Sequence, residues 1–285
     1  FAAFSGDAMP MNEVFTPGRL KEYEDWLLQR RLSWNTISTY MRTLQAVYNR
    51  LSPPGTPEHN PRLFDDVYTK VKSQIKRALT EEQMGRLMHA DLDVLSEELQ
   101  RVQAYFLLMF LFRGMPFIDL AHLRKRDVKD GKIAYRRHKT GKQITLRIPR
   151  EALPLLKEFK DKDETSLYLF PILNAAPEGD DALYECYQKA LRNFNKMLRV
   201  LAKRLLPGIK ISSYTARHTW ATLAYHIGMP IGIICQALGH SSIRVTETYL
   251  KPFENEKVDK ANRKLISTVK KHEGRSGRCF IYYKT

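Results

Sequence analysis

Leu238-Gly239-His240-Ser241-Ser242-Ile243-Arg244-Val245-Thr246-Glu247-Thr248-Tyr249 is the stretch on which the reading of this chain turns. A histidine and then a tyrosine follow a Leu-Gly turn, and the pair Arg217-His218 stands a short helix upstream. A phenol, an imidazole and a guanidinium gathered in this way form a site for nucleophilic attack on a phosphodiester. The phenol is the weak point of such a set. With a pKa near 10 it is only about 0.1% ionised at pH 7, so it needs a strongly cationic setting or a proton acceptor. Arg217 is the cation at hand, and its planar fork can bind two nonbridging phosphate oxygens at once.

Working outward, Pro230 starts a helix that ends near Gly239. Ser212 or Ser213 can cap the preceding helix, which carries Arg217 and His218 towards Gly228. Pro207-Gly208 stops a long amphipathic helix, or two, from Ala182 to Leu206, with Tyr184, Tyr187, Leu191, Phe194, Leu198 and Leu201 on its apolar side. Further upstream, 132–137 and 143–148 are short alternating runs that flank His138-Lys139-Thr140-Gly141, the pattern of a hairpin with Lys139 at its tip. Tyr105, Phe106, Phe110 and Phe112 read as a core stripe.

The first part of the chain reads as helical. Leu20, Tyr23, Trp26 and Leu27 recur at helical spacing, and Ser33 can cap a second helix through Ile37, Tyr40, Leu44, Val47 and Tyr48. Ser52-Pro53-Pro54-Gly55-Thr56-Pro57, with Asn60-Pro61 beyond it, is a loop. Helical pattern returns from Leu63 to about Ile75, ending in the basic cluster Lys70, Lys72, Lys76 and Arg77. Thr80 with Gln83 has capping-box spacing and opens a second domain. At 285 residues the chain exceeds the usual single domain of about 100 to 200. The prediction is therefore two domains, 1–77 and 78–285, of α+β class, mainly helical, with a small antiparallel sheet.

Lys and Arg number 47 against 31 Asp and Glu, a formal charge of +16 that favours a polyanionic partner. Nucleic acid comes first and an anionic membrane surface second. The membrane reading weakens because the longest apolar run, Ala104 to Phe112, is far shorter than the ~20 residues of a spanning helix. The sequence carries no secretory leader pattern. Three cysteines, Cys186, Cys235 and Cys279, show no paired spacing, which fits a reducing cytoplasm. Neither a metal site nor a cofactor is expected.

Five features together resemble the tyrosine recombinases, the phage-integrase family: Gly114 to Leu120, Lys139 in a β-turn, Ser213 to Thr219, Leu238 to His240, and Tyr249. The resemblance covers most of the second domain and reaches weakly into the first. It implies a helical core-binding (SAM-like) domain and a catalytic domain forming a C-shaped clamp on DNA. It also implies site-specific cutting and rejoining of strands through a covalent 3′-phosphotyrosyl intermediate. On that resemblance Tyr249 is the nucleophile, Arg217 binds the phosphate, His240 donates to a phosphate oxygen or transfers a proton, and Lys139 is the general acid on the leaving 5′ oxygen.

Two positions depart from the family. Its first box usually runs Gly-Leu-Arg-Ile-Ser-Glu-Leu, and here Gly114-Met115-Pro116-Phe117-Ile118-Asp119-Leu120 puts Pro116 in the arginine slot. Arg113, three residues earlier, is about one helical turn away and is the candidate substitute. Tyr214 stands where the family's His-x-x-Arg box has its first histidine. It can donate one hydrogen bond to a phosphate oxygen but is a poor base, which leaves that role to His240 or to water. Departures of both kinds resemble integrases of mobile elements in the Bacteroidetes lineage. Asp119 is expected to brace its own helix region, and His218 to be a hydrogen-bonded support.

The partners implied are double-stranded DNA with paired inverted-repeat sites, a homo-tetramer on that DNA, and accessory DNA-bending proteins. From Asn255 to Lys271, Val258, Ala261, Leu265, Ile266 and Val269 share one side, suited to docking on a neighbouring protomer or to folding back on its own domain. Two other function classes stay open: a type IB topoisomerase-like relaxing enzyme, and a DNA-binding protein that has lost catalysis.

Overall fold

Side-chain capping by Thr16, Ser33 and Thr80 fixes where three of the helices begin. A computed structural model of the chain describes residues 1–6, 9–70, 78–90, 95–174, 179–253 and 255–272, the last three by backbone alone. The chain divides into two compact units, Phe1–Ile75 and Lys76–Thr285. Lys72, Lys76, Arg77 and Cys279 lie outside the described residues, as does much of the segment where the domain boundary was expected.

The first unit holds α1 (Ala2–Ser5), α2 (Met11–Val14), α3 (Pro17–Gln29) and α4 (Trp34–Leu51). Thr16 caps α3 by accepting from the Arg19 amide at 3.3 Å, and Ser33 caps α4 by accepting from the Thr36 amide at 3.2 Å. Leu20, Tyr23 and Leu27 of α3 pack on Ile37, Met41 and Tyr48 of α4, with Leu63, Phe64 and Val67 closing the core. Those last three share helical spacing, yet the helix expected from Leu63 is absent through residue 70, where the chain makes turns. Side chains of the two helices bond backbone groups just before and within this stretch. The Tyr48 hydroxyl donates to Glu58 O and accepts from the Asn60 amide at 2.7 Å, and the buried carboxylate of Glu24 accepts from the Tyr68 amide at 2.5 Å.

The second unit opens with α5 (Glu81–Met88), begun by a reciprocal Thr80–Gln83 capping box, and continues with α6 (Glu97–Leu111) and α7 (Phe117–Ala121). A three-stranded antiparallel sheet follows: β1 (Val128–Lys129), β2 (Lys132–Arg136) and β3 (Gln143–Arg147), in the order β1-β2-β3. Register pairs Ile133 with Leu146 and Tyr135 with Ile144, so all four apolar side chains face the core. Then come α8 (Ala152–Phe159), α9 (Asp180–Leu205), α10 (Ser213–His226), α11 (Ile231–Leu238), α12 (Ile243–Glu247) and α13 (Asn255–His272). α6 is buried nearly all round and packs against α8, α9 and α10. On α9, Tyr187, Phe194, Leu198 and Leu201 are buried, whereas Tyr184, expected on the same face, is exposed one turn beyond the core. No helix among the described residues is long and apolar enough to cross a membrane.

Candidate active site

Chain reversals after α6 and α11 aim two carbonyls at one side chain. Gly114 adopts φ 70°, and a Cβ there would stand 3.1 Å from Arg217 Cα and 3.2 Å from its Cγ, so only glycine allows the approach. Gly239 ends α11 at φ 67°, where a Cβ would come within 2.8 Å of Ile144 Cδ1. With both turns set, Arg217 on α10 donates through Nη1 to Gly114 O at 2.7 Å and through Nη2 to Leu238 O at 2.6 Å. The residue is 2% exposed, and its buried Nε has no partner. Burial pulls the guanidinium pKa down and the charge of Arg137 adds to that, while the neighbouring Tyr249 hydroxyl acts in the opposite direction.

His240 is 7% exposed. Its Nε2 lies 2.9 Å from Arg217 Nη2 and its Nδ1 lies 2.9 Å from Thr246 Oγ1. Arginine is a donor only, so Nε2 must accept, and the ring is neutral with its proton on Nδ1 directed at Thr246. Electrostatics agree: burial first, then the charges of Arg217 and Arg137, lower the His240 pKa to about 3.

Tyr249 follows α12 on the same chain and is half-buried. Its ring lies between two imidazoles, with centroids 4.7 Å from His218 and 4.9 Å from His240, and Arg217 Cζ stands 5.5 Å from its centroid. The Thr222 hydroxyl donates to its carbonyl at 3.2 Å, which pins the nucleophile candidate to α10.

The remaining expected residues sit at different depths. Lys139 is exposed in the β2–β3 turn, where the Gly141 amide donates to Arg137 O at 2.8 Å, and its charge reaches His240. Tyr214 lies at the first turn of α10, 58% exposed, its ring 6.5 Å from that of His218. Arg113 is half-buried at φ 58°, and its charge acts on Tyr135. Asp119 does not brace its own helix. Its Oδ1 accepts from the His138 amide at 2.9 Å, tying α7 to the hairpin turn, while burial raises its pKa.

One buried cation went unread in the sequence. Arg137 is 6% exposed; its Nη1 donates to Leu238 O, the carbonyl Arg217 also uses, and its buried Nε has no partner. The signal was parity: β2 alternates, so a residue two beyond Tyr135 faces the core as Ile133 and Tyr135 do.

The phage integrase family model matches residues 77–256, more than half of the chain. The chain is 28% identical over 248 residues to tyrosine recombinase XerA of Pyrococcus furiosus, spanning 83% of this chain and 79% of that protein. It is 23% identical over 226 residues to a tyrosine recombinase of Thermosipho africanus, 79% of this chain and 74% of that protein. Among solved structures, the Tn1549 transposon integrase in complex with a circular intermediate DNA matches with a TM-score of 0.63 at 17% identity, covering 92% of this chain and 90% of that one. A lambda integrase tetramer bound to a Holliday junction matches at 0.60 and 15%, covering 88% and 68%. At these identities the structural likeness is one of fold, and the mainly helical α+β architecture is shared. The family match carries the identification: the chain belongs to the phage integrase family, the tyrosine-type site-specific DNA recombinases.

Proposed function

We propose that Tyr249 cuts DNA at paired sites by forming a covalent 3′-phosphotyrosyl bond and that reversal of the step rejoins strands. The observation that carries this reading is the phenol ring of Tyr249 held between His218 and His240 beside the buried guanidinium of Arg217. The Tyr249 Oη–P bond forms as the P–O5′ bond breaks. The electron pair leaves on O5′, which takes a proton from Lys139, and the phenol proton passes to water, because a ring with a pKa of about 3 is a poor acceptor. His240 Nε2 accepts from Arg217 Nη2 and holds the guanidinium in place beside Tyr249. Arg217 neutralises the nonbridging oxygens, a contact whose loss typically costs on the order of 10² to 10³ in rate. Tyr214, at the exposed mouth, offers one hydroxyl to a phosphate.

Duplex DNA is the partner that a charge of +16 fits. Paired inverted-repeat sites and a homo-tetramer belong to the same reading, with accessory bending proteins as helpers. Val258, Leu265, Ile266 and Val269 of α13 are all exposed, an apolar face suited to a second protomer and of little use to a monomeric relaxing enzyme. The likeness to integrases of Bacteroidetes mobile elements rests on residues 113–119 and on Tyr214.

The test is a suicide DNA substrate with mapping of the adduct. Wild-type protein should trap a 3′-phosphotyrosyl bond at Tyr249, and Tyr249→Phe should bind DNA and trap none. An adduct that persists in Tyr249→Phe overturns the assignment.

A further inference from the structure

The pattern of charge around Arg217 leaves a debt on one side and a surplus on the other. Pro116 and Tyr214, the two departures from the family sequence, line the same small cavity against Arg217. Its volume is about 50 Å³, room for a water or two and not for a cationic side chain. Pro116 therefore brings no cation from the α7 side. From the hairpin side, Arg137 reaches the carbonyl that Arg217 itself uses, passing 3.4 Å from where a Cβ on Gly239 would stand.

Two buried guanidinium groups on one carbonyl repel each other, and neither forms an ion pair among the described residues. Asp119 feels both charges, yet its Oδ1 accepts from the His138 amide and its buried Oδ2 bonds neither guanidinium. Both arginines also keep a buried Nε without a partner. Buried cations with spare donors and no paired carboxylate are costly, and an anion that completes them offsets that cost. The anion this reaction brings is the scissile phosphate.

We propose that Arg137, not Arg113, is the second phosphate-binding arginine of this recombinase, reaching the scissile phosphate from the end of β2 in place of the side chain that Pro116 lacks. The proposal rests on the phosphotyrosyl reading above. Arg137 and Lys139 then work from a single turn: one neutralises the pentacoordinate phosphorus, and the other protonates the leaving oxygen.

The experiment compares strand cleavage on a natural suicide substrate with cleavage on one carrying a neutral methylphosphonate at the scissile position. Replacing a nonbridging oxygen by methyl removes the charge that the second arginine balances. Arg137→Ala should cleave the natural strand at least ~10²-fold more slowly than wild type and should cleave the methylphosphonate at least as fast as the natural strand. Arg113→Ala should stay within about tenfold of wild type on the natural strand. Arg137→Lys, which keeps the charge and loses the fork, should fall between wild type and Arg137→Ala. Natural-strand cleavage by Arg137→Ala at the wild-type rate overturns the proposal. So does an equal loss on both substrates, which is what misfolding or a role confined to bracing the Leu238-Gly239 turn would produce. A wild-type protein that traps no adduct removes the phosphotyrosyl reading itself, a result distinct from either.

Discussion

Each unit of this chain buries charge, and the two do it in opposite ways. In the first unit Glu24 is 2% exposed, and its carboxylate is closed: Lys21 donates to Oε1 at 2.5 Å and the Tyr68 amide to Oε2 at 2.5 Å. In the second, Arg217 and Arg137 are nearly as deep, share a carbonyl and keep donors unused. A buried charge whose partners are all supplied by the chain holds a fold together. One whose partners are missing is held for a visitor.

That contrast can be broken in both directions. The largest effect is expected at Arg217, where Arg217→Lys keeps a cation but loses the fork. Cleavage should fall on the order of 10²-fold. The melting temperature should move by less than about 4 °C, the shift that ~1 kcal/mol produces in a unit of this size. A large loss of stability with modest loss of cleavage would make Arg217 a structural charge like Glu24. Next is Glu24→Leu, which strands the Tyr68 amide and should cost about 1–3 kcal/mol in urea unfolding while leaving cleavage per folded molecule unchanged. Unaltered unfolding would remove the contrast from the other side. The smallest effect concerns pH. His240 has a folded pKa of about 3 against an ordinary value of 6.5, so between those values the unfolded chain binds a proton that the folded chain refuses. Stability from this group is full above about 6.5 and declines as pH falls towards 3. His240→Asn should flatten that part of the profile of unfolding free energy against pH, and an unchanged slope would show the ring to be charged.

What could be read from the sequence was what local chemistry decides. Ser33, the Thr80–Gln83 pair and the Gly239 stop are all signals confined to one turn, and each marks a helix end in the structure. The alternating runs around Lys139 gave the hairpin for the same reason, though not the two-residue β1 that pairs with it. Residues 63–70 carried helical spacing and still form turns; Glu24, far away in the sequence, takes the Tyr68 amide, and Tyr48 takes the Asn60 amide just before the stretch. In the site, Tyr249, His240 and Arg217 could be read from their spacing. Arg137 could not be singled out by residue type in a chain with 47 lysines and arginines. Its burial and the reach of Asp119 to the His138 amide depend on how the hairpin meets α7 and α11.

The Thr222 and Thr246 hydroxyls bind Tyr249 and His240 to their own chain's α10 and α12. Tyr249, His240 and Arg217 therefore meet within one chain. With Tyr249 kept in its own chain's site, a mixture of Tyr249→Phe and Arg217→Ala protomers should restore no cleavage, and recovered cleavage would show that a partner lends its tyrosine. Diluting wild type with Tyr249→Phe should then lower the yield of covalent adduct in direct proportion to the fraction replaced.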